Sequence, residues 1–186
     1  MKKNLFLGIV FFAILSLSNH SFAQSEKKNI FKVNLLSPLI RTGSFFYERV
    51  ITPKSSAQLG FYYTGWSLDG TKLRGIGITP EYRFYVSQSK QAPQGFFVAP
   101  FLRYQNLELS TDATSAKGTL STFGGGLAIG GQWIFSNIIS LDIFGGPTVN
   151  TRSFKSSANG VTEDDFTLTG LGAFGFRFGV TVGIAF

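Results

Sequence analysis

Large apolar residues alternate with small or polar residues along most of the chain. In the last segment, 168–186, one face carries mainly phenylalanine, valine and isoleucine, and the other carries mainly glycine, alanine and threonine. Successive side chains of a β-strand point to opposite faces of the sheet, so a period of two predicts a strand. The same pattern recurs, most weakly in the first two cases, in 30–37, 43–51, 57–66, 73–86, 95–109, 118–135 and 138–146.

Turn-forming residues separate these segments. Short clusters lie at 52–56, 87–94 and 136–137, and longer ones lie at 38–42, 67–72, 110–117 and 151–165. Strand patterns that alternate with such clusters at short intervals are typical of an all-β fold. We therefore expect eight strands joined by hairpins in an antiparallel, up-and-down order, with both chain ends at the same end of the structure.

A glycine-rich run, Gly124–Gly131, superficially resembles a phosphate-binding loop. Such a loop needs a helix directly after it. Here the strand alternation continues through the run, so we interpret the glycines as close packing within a strand.

Composition indicates which way the apolar face points. Charged residues make up only 15% of the chain, aromatic residues make up 16%, and phenylalanine alone occurs 21 times. The interior of an eight-stranded barrel is just filled by side chains or holds one small ligand, so we expect it to be too narrow for this many rings. A closed barrel in lipid also leaves no strand edge unpaired. We predict a transmembrane β-barrel with its large residues facing lipid; a soluble lipocalin-like barrel is the alternative.

The N-terminal segment has the three parts of a secretory signal. Lys2 and Lys3 precede an apolar run from Leu5 to Leu17, and Ser21-Phe22-Ala23 supplies small residues at a cleavage site. The apolar run is shorter than the ~20 residues that a membrane-spanning helix needs. We predict a cleaved signal peptide over 1–23 and an outer-membrane barrel domain over 24–186.

The signal-like start, the eight alternating segments and the terminal Phe186 resemble small Gram-negative outer-membrane barrels of the outer-membrane protein A, X and W type. This resemblance implies an outer-membrane location with both termini in the periplasm. It also implies that the last strand is the signal read by the barrel-assembly machinery during biogenesis, carried here by Phe174, Phe176, Phe178, Val180, Val182, Ile184 and Phe186. The stretches Lys32–Leu35, Pro80–Tyr85 and Gly95–Tyr104 are further similar to an uncharacterised family of such barrels, which implies no function.

Strand parity places several charged residues on the inward face. Isolated charges in a barrel interior are costly, so we expect them to pair. The pairs would form either a structural plug that excludes water or a polar gate along a narrow conducting path. The predicted lumen charge network consists of Lys32, Glu48, Glu81, Arg83, Arg103, Asp142 and Arg177.

The residue types argue against catalysis. The chain has no cysteine, and its one histidine, His20, lies in the predicted signal peptide. The mature chain would therefore lack the two side chains most often used to activate nucleophiles and bind metals. We expect no enzyme activity, no cofactor and no metal site.

Partners follow from the location and the charge. The net charge of +7 is scattered along the chain, which favours contact with outer-membrane lipid and lipopolysaccharide over nucleic acid. Aromatic residues near strand ends predict membrane-interface anchors at Trp66, Trp133, Tyr63, Tyr82 and Tyr104. We expect a structural or protein-interaction role in an envelope complex. A narrow channel for small solutes and a soluble periplasmic ligand-binding barrel are the alternatives.

Overall fold

The computed structural model describes residues 27–68, 71–111, 117–156 and 174–186. The predicted signal peptide lies outside these ranges. The described residues form eight strands, as the sequence predicts, and one short 3-10 helix at Ser37–Ile40. The strands are β1 (Asn29–Asn34), β2 (Thr42–Thr52), β3 (Ser55–Leu68), β4 (Thr71–Tyr85), β5 (Gly95–Thr111), β6 (Lys117–Phe135), β7 (Ile139–Ser156) and β8 (Phe174–Ala185).

The strands form one closed antiparallel barrel in which each strand pairs with its neighbours in sequence and β1 pairs with β8. Two backbone hydrogen bonds complete the closure, from Asn29 N to Phe186 O at 3.1 Å and from Phe186 N to Asn29 O at 2.8 Å. Following paired residues once around the barrel from Ala185 leads back to Gly175, ten residues away on the same strand. This stagger tilts the strands and brings residues with different pairing partners to the same height.

The two ends of the barrel differ. One end, the turn end, carries the two-residue turn Pro53–Lys54, the connections 86–94 and 136–138, and the two described chain ends. The other, the loop end, carries 35–41 and the three connections outside the described ranges. The strands reach further into the loop end than the sequence predicts: β7 continues to Ser156, ten residues past the predicted segment, because Thr148, Asn150 and their neighbours keep the alternation with polar residues.

Large apolar side chains cover the outside of the barrel. Exposed examples come from every strand and include Phe45, Phe61, Ile78, Leu102 and Ile143. Exposed charged residues on the strand exteriors lie toward strand ends, as at Arg49, Lys72, Arg74 and Glu108. The middle of the described wall is therefore a continuous apolar belt. Among the described residues, no helix is long and apolar enough to cross a membrane.

A few aromatic rings also occupy the interior, beside the larger number on the outside. Phe46, Phe97, Phe101 and Phe144 are between 1% and 7% exposed, and Tyr85 is 3% exposed. Glycines on facing strands make room for the rings. A Cβ atom at Gly130 would lie 2.6 Å from Phe97 Cζ and 2.9 Å from Phe144 Cβ. Large and small residues therefore pack against each other across the interior and fill it. A large apolar residue in this chain can thus lie on either face of the wall.

Candidate functional site

Buried ion pairs near the turn end join four strands across the lumen. Lys32 of β1 places its Nζ 2.5 Å from Glu48 Oε2 of β2 and 3.0 Å from Asp142 Oδ2 of β7. The same ammonium donates a hydrogen bond of 2.7 Å to Gln132 Oε1 of β6. None of these four side chains is exposed. One lysine therefore links strands that are about a hundred residues apart in sequence.

Arg83 of β4 extends this cluster from the opposite wall. Its Nη1 lies 2.7 Å from Asp142 Oδ2 and 3.8 Å from Glu48 Oε2, and its Nε lies 2.6 Å from Glu81 Oε1. It also donates to Gln132 Oε1 at 2.9 Å. Bridging three carboxylates is possible because a guanidinium carries five N–H donors in a fixed plane.

Arg177 of β8 completes the arrangement. Its Nη1 lies 2.6 Å from Glu81 Oε2, so Glu81 is held between two guanidinium groups. We call Lys32, Glu48, Glu81, Arg83, Asp142 and Arg177 the lumen ion-pair network. Three cations and three carboxylates alternate in it, so that no carboxylate faces another carboxylate without a cation between them.

Neutral polar residues and aromatic rings surround the network. Glu48 Oε1 accepts hydrogen bonds from Tyr85 OH at 2.6 Å and from Ser56 Oγ. Arg83 Cζ lies 4.2 Å from the centroid of the Phe97 ring. Arg177 Cζ lies 4.7 Å from the ring of Phe101 and 4.5 Å from that of Phe144. The rings supply cation–π attraction and exclude water from the ion pairs.

Sequence reasoning did not identify these supporting residues. Gln132, Tyr85 and Phe97 all lie on the inward parity that the charged residues define, so a sharper use of the alternation could have found them. Their pairing with particular charges depends on the barrel stagger, which the sequence pattern does not reveal.

Arg103 stands apart from the other six predicted lumen charges. Within the described part of the chain, no ion pair joins it to a carboxylate. Its guanidinium instead lies over the ring of Tyr62 of β3, with Cζ 5.2 Å from the ring centroid. Its Nε is buried without a hydrogen-bond partner. Arg103 lies nearer the loop end than Glu81 of the network does. Glu81 pairs with Phe101, and Arg103 follows Phe101 along β5 toward the loop end.

The predicted interface aromatics divide between the two faces of the wall. Tyr63 and Tyr104 are exposed on the exterior, at 50% and 44%. Tyr82 and Trp133 are half-buried on the exterior, against Phe84 and Phe96 respectively. Trp66 differs from the prediction, since it shares the face of β3 that carries Gln58 and Thr64 and lines an interior cavity. Trp66 lies near the end of β3, but it is on the face of the strand that points into the lumen.

The predicted C-terminal signal residues all lie on the outer side of β8 or directly after it. Phe174, Phe176, Phe178 and Ile184 are exposed there, and Val180 and Val182 are half-buried between neighbours. Phe186 follows the last strand residue and makes the backbone bonds with Asn29 that close the barrel. These residues therefore form one continuous apolar strip down the closing strand.

The described interior carries hydroxyl, amide and carboxylate groups but no histidine or cysteine. No group of three potential metal ligands occurs there. The carboxylates are occupied by cations, and the interior hydroxyls and amides have no imidazole beside them. What this arrangement does chemically is to neutralise buried charge and to fill the space between opposite walls.

Comparison with known proteins gives a family and a set of similar folds. The family model described as "Protein of unknown function (DUF3575)" matches residues 9–148. No curated protein matches the chain in sequence. The crystal structure of CarO from Acinetobacter baumannii is similar at 13% identity and a TM-score of 0.47, covering 89% of this chain and 99% of that one. A major outer membrane protein from Thermus thermophilus is similar at 12% identity and a TM-score of 0.44, covering 85% of this chain and 99% of that one.

Proposed function

The chain belongs to the DUF3575 family of proteins of unknown function, and we propose that it is an outer-membrane barrel with a closed lumen. In this proposal the barrel has a structural or protein-interaction role in the cell envelope. It conducts no solutes and catalyses no reaction. Both termini lie in the periplasm after a signal peptide has been removed.

The observation that carries the proposal is the lumen ion-pair network. Lys32, Glu48, Arg83 and Asp142 have no exposed side-chain surface, although they face the lumen. A conducting path must expose its lining to water, whereas these side chains contact one another directly. Removing one partner of a buried ion pair costs about 3–5 kcal/mol because it leaves an uncompensated buried charge, so each member of the network depends on the others.

The exterior supports the membrane location. A soluble barrel of this size would present charged side chains along its whole outer wall, while here the exterior charges of the described strands are found toward the strand ends. An apolar belt between polar ends is the surface that a bilayer stabilises. Strand lengths of 11 to 19 residues in β2 to β8 exceed the ~9–11 that a transmembrane strand needs.

The absence of catalysis is supported by residue chemistry. The barrel-type outer-membrane acyl hydrolases rely on a serine activated by histidine, and the only histidine of this chain precedes the barrel. The interior carboxylates are held by arginine and lysine, which removes them from general acid–base work.

Planar-bilayer recording tests the closed lumen. We expect the purified wild-type protein to show no steady open state. Arg83→Ala should give measurable openings, because it removes the group that bridges Glu48, Glu81 and Asp142. Arg74→Ala is the matched control, since Arg74 is exposed on the exterior of the same strand.

A steady open state in the wild type would contradict the proposal. If Arg103→Ala or Glu81→Ala then changed the conductance, a function as a narrow channel would replace the proposal of a closed lumen. Purification in mild detergent from the outer-membrane fraction tests the interaction role separately, because a stoichiometric companion is expected only for an accessory subunit.

A further inference from the structure

Among the described residues, the barrel wall has a gap on its loop-end side, between β2 and β8. β1 is only six residues long, and its pairing ends at Val33 with β2 and at Asn34 with β8. Beyond this point the first residues of β2, from Thr42, pair only with β3, and the first residues of β8, from Phe174, pair only with β7. The segment 35–41 with its 3-10 helix stands between these two edges without joining them as a strand.

The 3-10 helix is fixed to one side of the gap. Ser37 Oγ and Ser44 Oγ lie 2.7 Å apart, which ties the helix to β2. Leu35 N donates to Val180 O at 2.8 Å, and this is the last backbone bond from the segment to β8. The opening therefore lies between the 3-10 helix and the loop-end part of β8, which begins at Phe174.

The edges of the gap carry the most exposed large apolar side chains of the described chain. Leu39 is 81% exposed and Ile40 is 70% exposed on the helix side. Phe174 and Phe176 are 78% and 69% exposed on the β8 side. No strand of the described ranges lies between them, so within those ranges these side chains lack the lateral neighbours that cover other residues of the belt.

A cavity of about 390 Å³ lies behind the gap. Ile40, Phe176 and Phe178 line it on the outer side, and Tyr62, Arg103 and Arg177 line it toward the lumen. Its volume falls in the lower part of the range of about 300–1,000 Å³ that is usual for small-ligand sites. The cavity is therefore apolar where it meets the exterior and cationic where it ends.

The cationic end has donors without partners. Arg177 is 8% exposed and uses Nη1 for Glu81, while its Nη2 is buried with no hydrogen-bond partner. Arg103 Nε is also buried and unpartnered. Both guanidinium groups belong to residues that line this one cavity. Buried donors of this kind are costly unless an acceptor satisfies them.

The charge count identifies the kind of acceptor. The seven predicted lumen charges, whose side chains the structure describes, comprise four cations and three carboxylates, and the network pairs all but Arg103. One further negative charge would balance these seven. A single carboxylate meets this requirement and matches the planar donor edge of a guanidinium.

We propose that this cavity binds a single-chain amphiphile with one carboxylate, such as a fatty acid. The carboxylate accepts hydrogen bonds from Arg103 and Arg177, and the hydrocarbon chain leaves through the gap along Phe176 and Phe178. The small cavity volume favours one chain over the two chains of a phospholipid. The proposal uses the membrane location only as the source of the ligand, so binding to the purified barrel tests it independently of the closed lumen.

A scintillation proximity assay with tritiated dodecanoate provides the test, using the full protein in a nonionic maltoside detergent. We expect saturable binding that unlabelled dodecanoate displaces and that dodecanol, at the same concentration, does not. Arg103→Gln should weaken binding at least about tenfold, because it removes charge-assisted hydrogen bonds. It should still fold, since no ion pair is lost within the described residues, and heat-modifiable gel mobility checks this.

Two further variants make the result specific. Arg74→Gln changes the same residue type on the exterior of the loop-end half and should bind like the wild type. Ser44→Phe keeps both arginines but places a ring in the cavity that Ser44 lines, and it should abolish binding.

Three results would overturn the proposal: no saturable binding by the folded wild type, equal competition by dodecanol, or unchanged binding by folded Arg103→Gln. Equal competition by dodecylphosphocholine would assign the site to a phosphodiester headgroup instead and would overturn the carboxylate. None of these results would alter the conductance record that tests the closed lumen.

Discussion

Arg83 illustrates how a single side chain holds distant strands of this barrel together. It contacts carboxylates from β2, β4 and β7 and packs on the ring of Phe97 from β5. The guanidinium is fully buried, so only these contacts stabilise its charge. Desolvation opposes the burial of each charge, and only the complete set of partners offsets it.

Replacing Arg83 should therefore destabilise the barrel. We expect Arg83→Met to lower the free energy of unfolding by about 3–5 kcal/mol, because three carboxylates lose a cation at once. Arg74→Met, on the exterior of the same strand, should change it by less than about 0.5 kcal/mol. Urea unfolding in lipid vesicles measures both values. Equal effects of the two substitutions would show that the interior contacts contribute little.

The alternation in the sequence could predict the side of the wall on which each charge lies, but not its partners. Lys32 and Asp142 meet because Gly183 of β8 pairs with Lys32 on one side and with Ser140 on the other, and Asp142 follows Ser140 on the inward face. The register of this pairing leaves no trace in a period of two. Trp66 shows a second limit. A residue near a strand end can belong to either face, and its parity with Thr64 is more informative than its position near the end.

At the scale of elements, β6 shows how close packing inside the wall depends on glycine. Gly130 faces the ring of Phe97 and the Cβ atom of Phe144, and a Cβ at Gly130 would also lie 2.5 Å from Ile143 O. The strand continues through the glycine-rich run from Lys117 to Phe135, as its alternation predicts. The run serves interior packing between two aromatic residues of neighbouring strands.

A large side chain at Gly130 should prevent the barrel from closing. We expect Gly130→Leu to destabilise the barrel by at least about 1–3 kcal/mol, since the aromatic rings and the backbone of β7 leave no room for it. Ile129→Leu, one residue away on the exterior, should be close to neutral. Heat-modifiable gel mobility after refolding distinguishes the variants. A fully folded Gly130→Leu protein would mean that the interior repacks more freely than its contacts indicate.

The last strand and Phe186 combine two roles that can be separated. The backbone of Phe186 closes the barrel against Asn29, whereas its ring is 57% exposed. If the ring is read during assembly, Phe186→Ala should reduce folded barrel in cells and leave refolding in vitro unchanged. Deletion of Phe186 should impair both, because it also removes the backbone bonds. Wild-type levels of Phe186→Ala in the outer membrane would contradict the signal role.

The length of the strands was the least predictable property of the elements. β7 extends to Ser156, into a segment that looks like a loop because it is rich in threonine, serine and asparagine, whereas β5 and β6 end close to their predicted bounds. Such residues are compatible with a strand whose two faces both contact water, as happens beyond a bilayer. An apolar pattern therefore marks the part of a strand in lipid, and hydrogen bonding to neighbours carries the strand further.

For the whole molecule, the closed antiparallel order followed from the even number of alternating segments and from the requirement that lipid imposes on strand edges. The gap between β2 and β8 did not follow from it, because it arises where β1 ends early at Asn34 and a 3-10 helix begins at Ser37. Pro38 explains part of this change, since proline cannot donate to a sheet ladder.

The absence of cysteine from the sequence allows a direct test of orientation. We expect Arg41→Cys, at the loop end, to react with a membrane-impermeant maleimide in intact cells. Ser89→Cys, in the connection 86–94 at the turn end, should react only after the outer membrane has been permeabilised. Both positions are exposed. The opposite labelling pattern would reverse the proposed topology and place the termini outside.

The long sequence separations within the lumen ion-pair network have a consequence for the rate of unfolding. Lys32 and Asp142 are 110 residues apart, and Arg177 and Glu81 are 96 apart, so these contacts form only after the strands between them have been assembled. Interactions that are absent from the folding transition state slow unfolding without accelerating folding. The network should therefore slow the unfolding of an inserted barrel, so that the barrel stays folded for far longer than its equilibrium stability alone would predict.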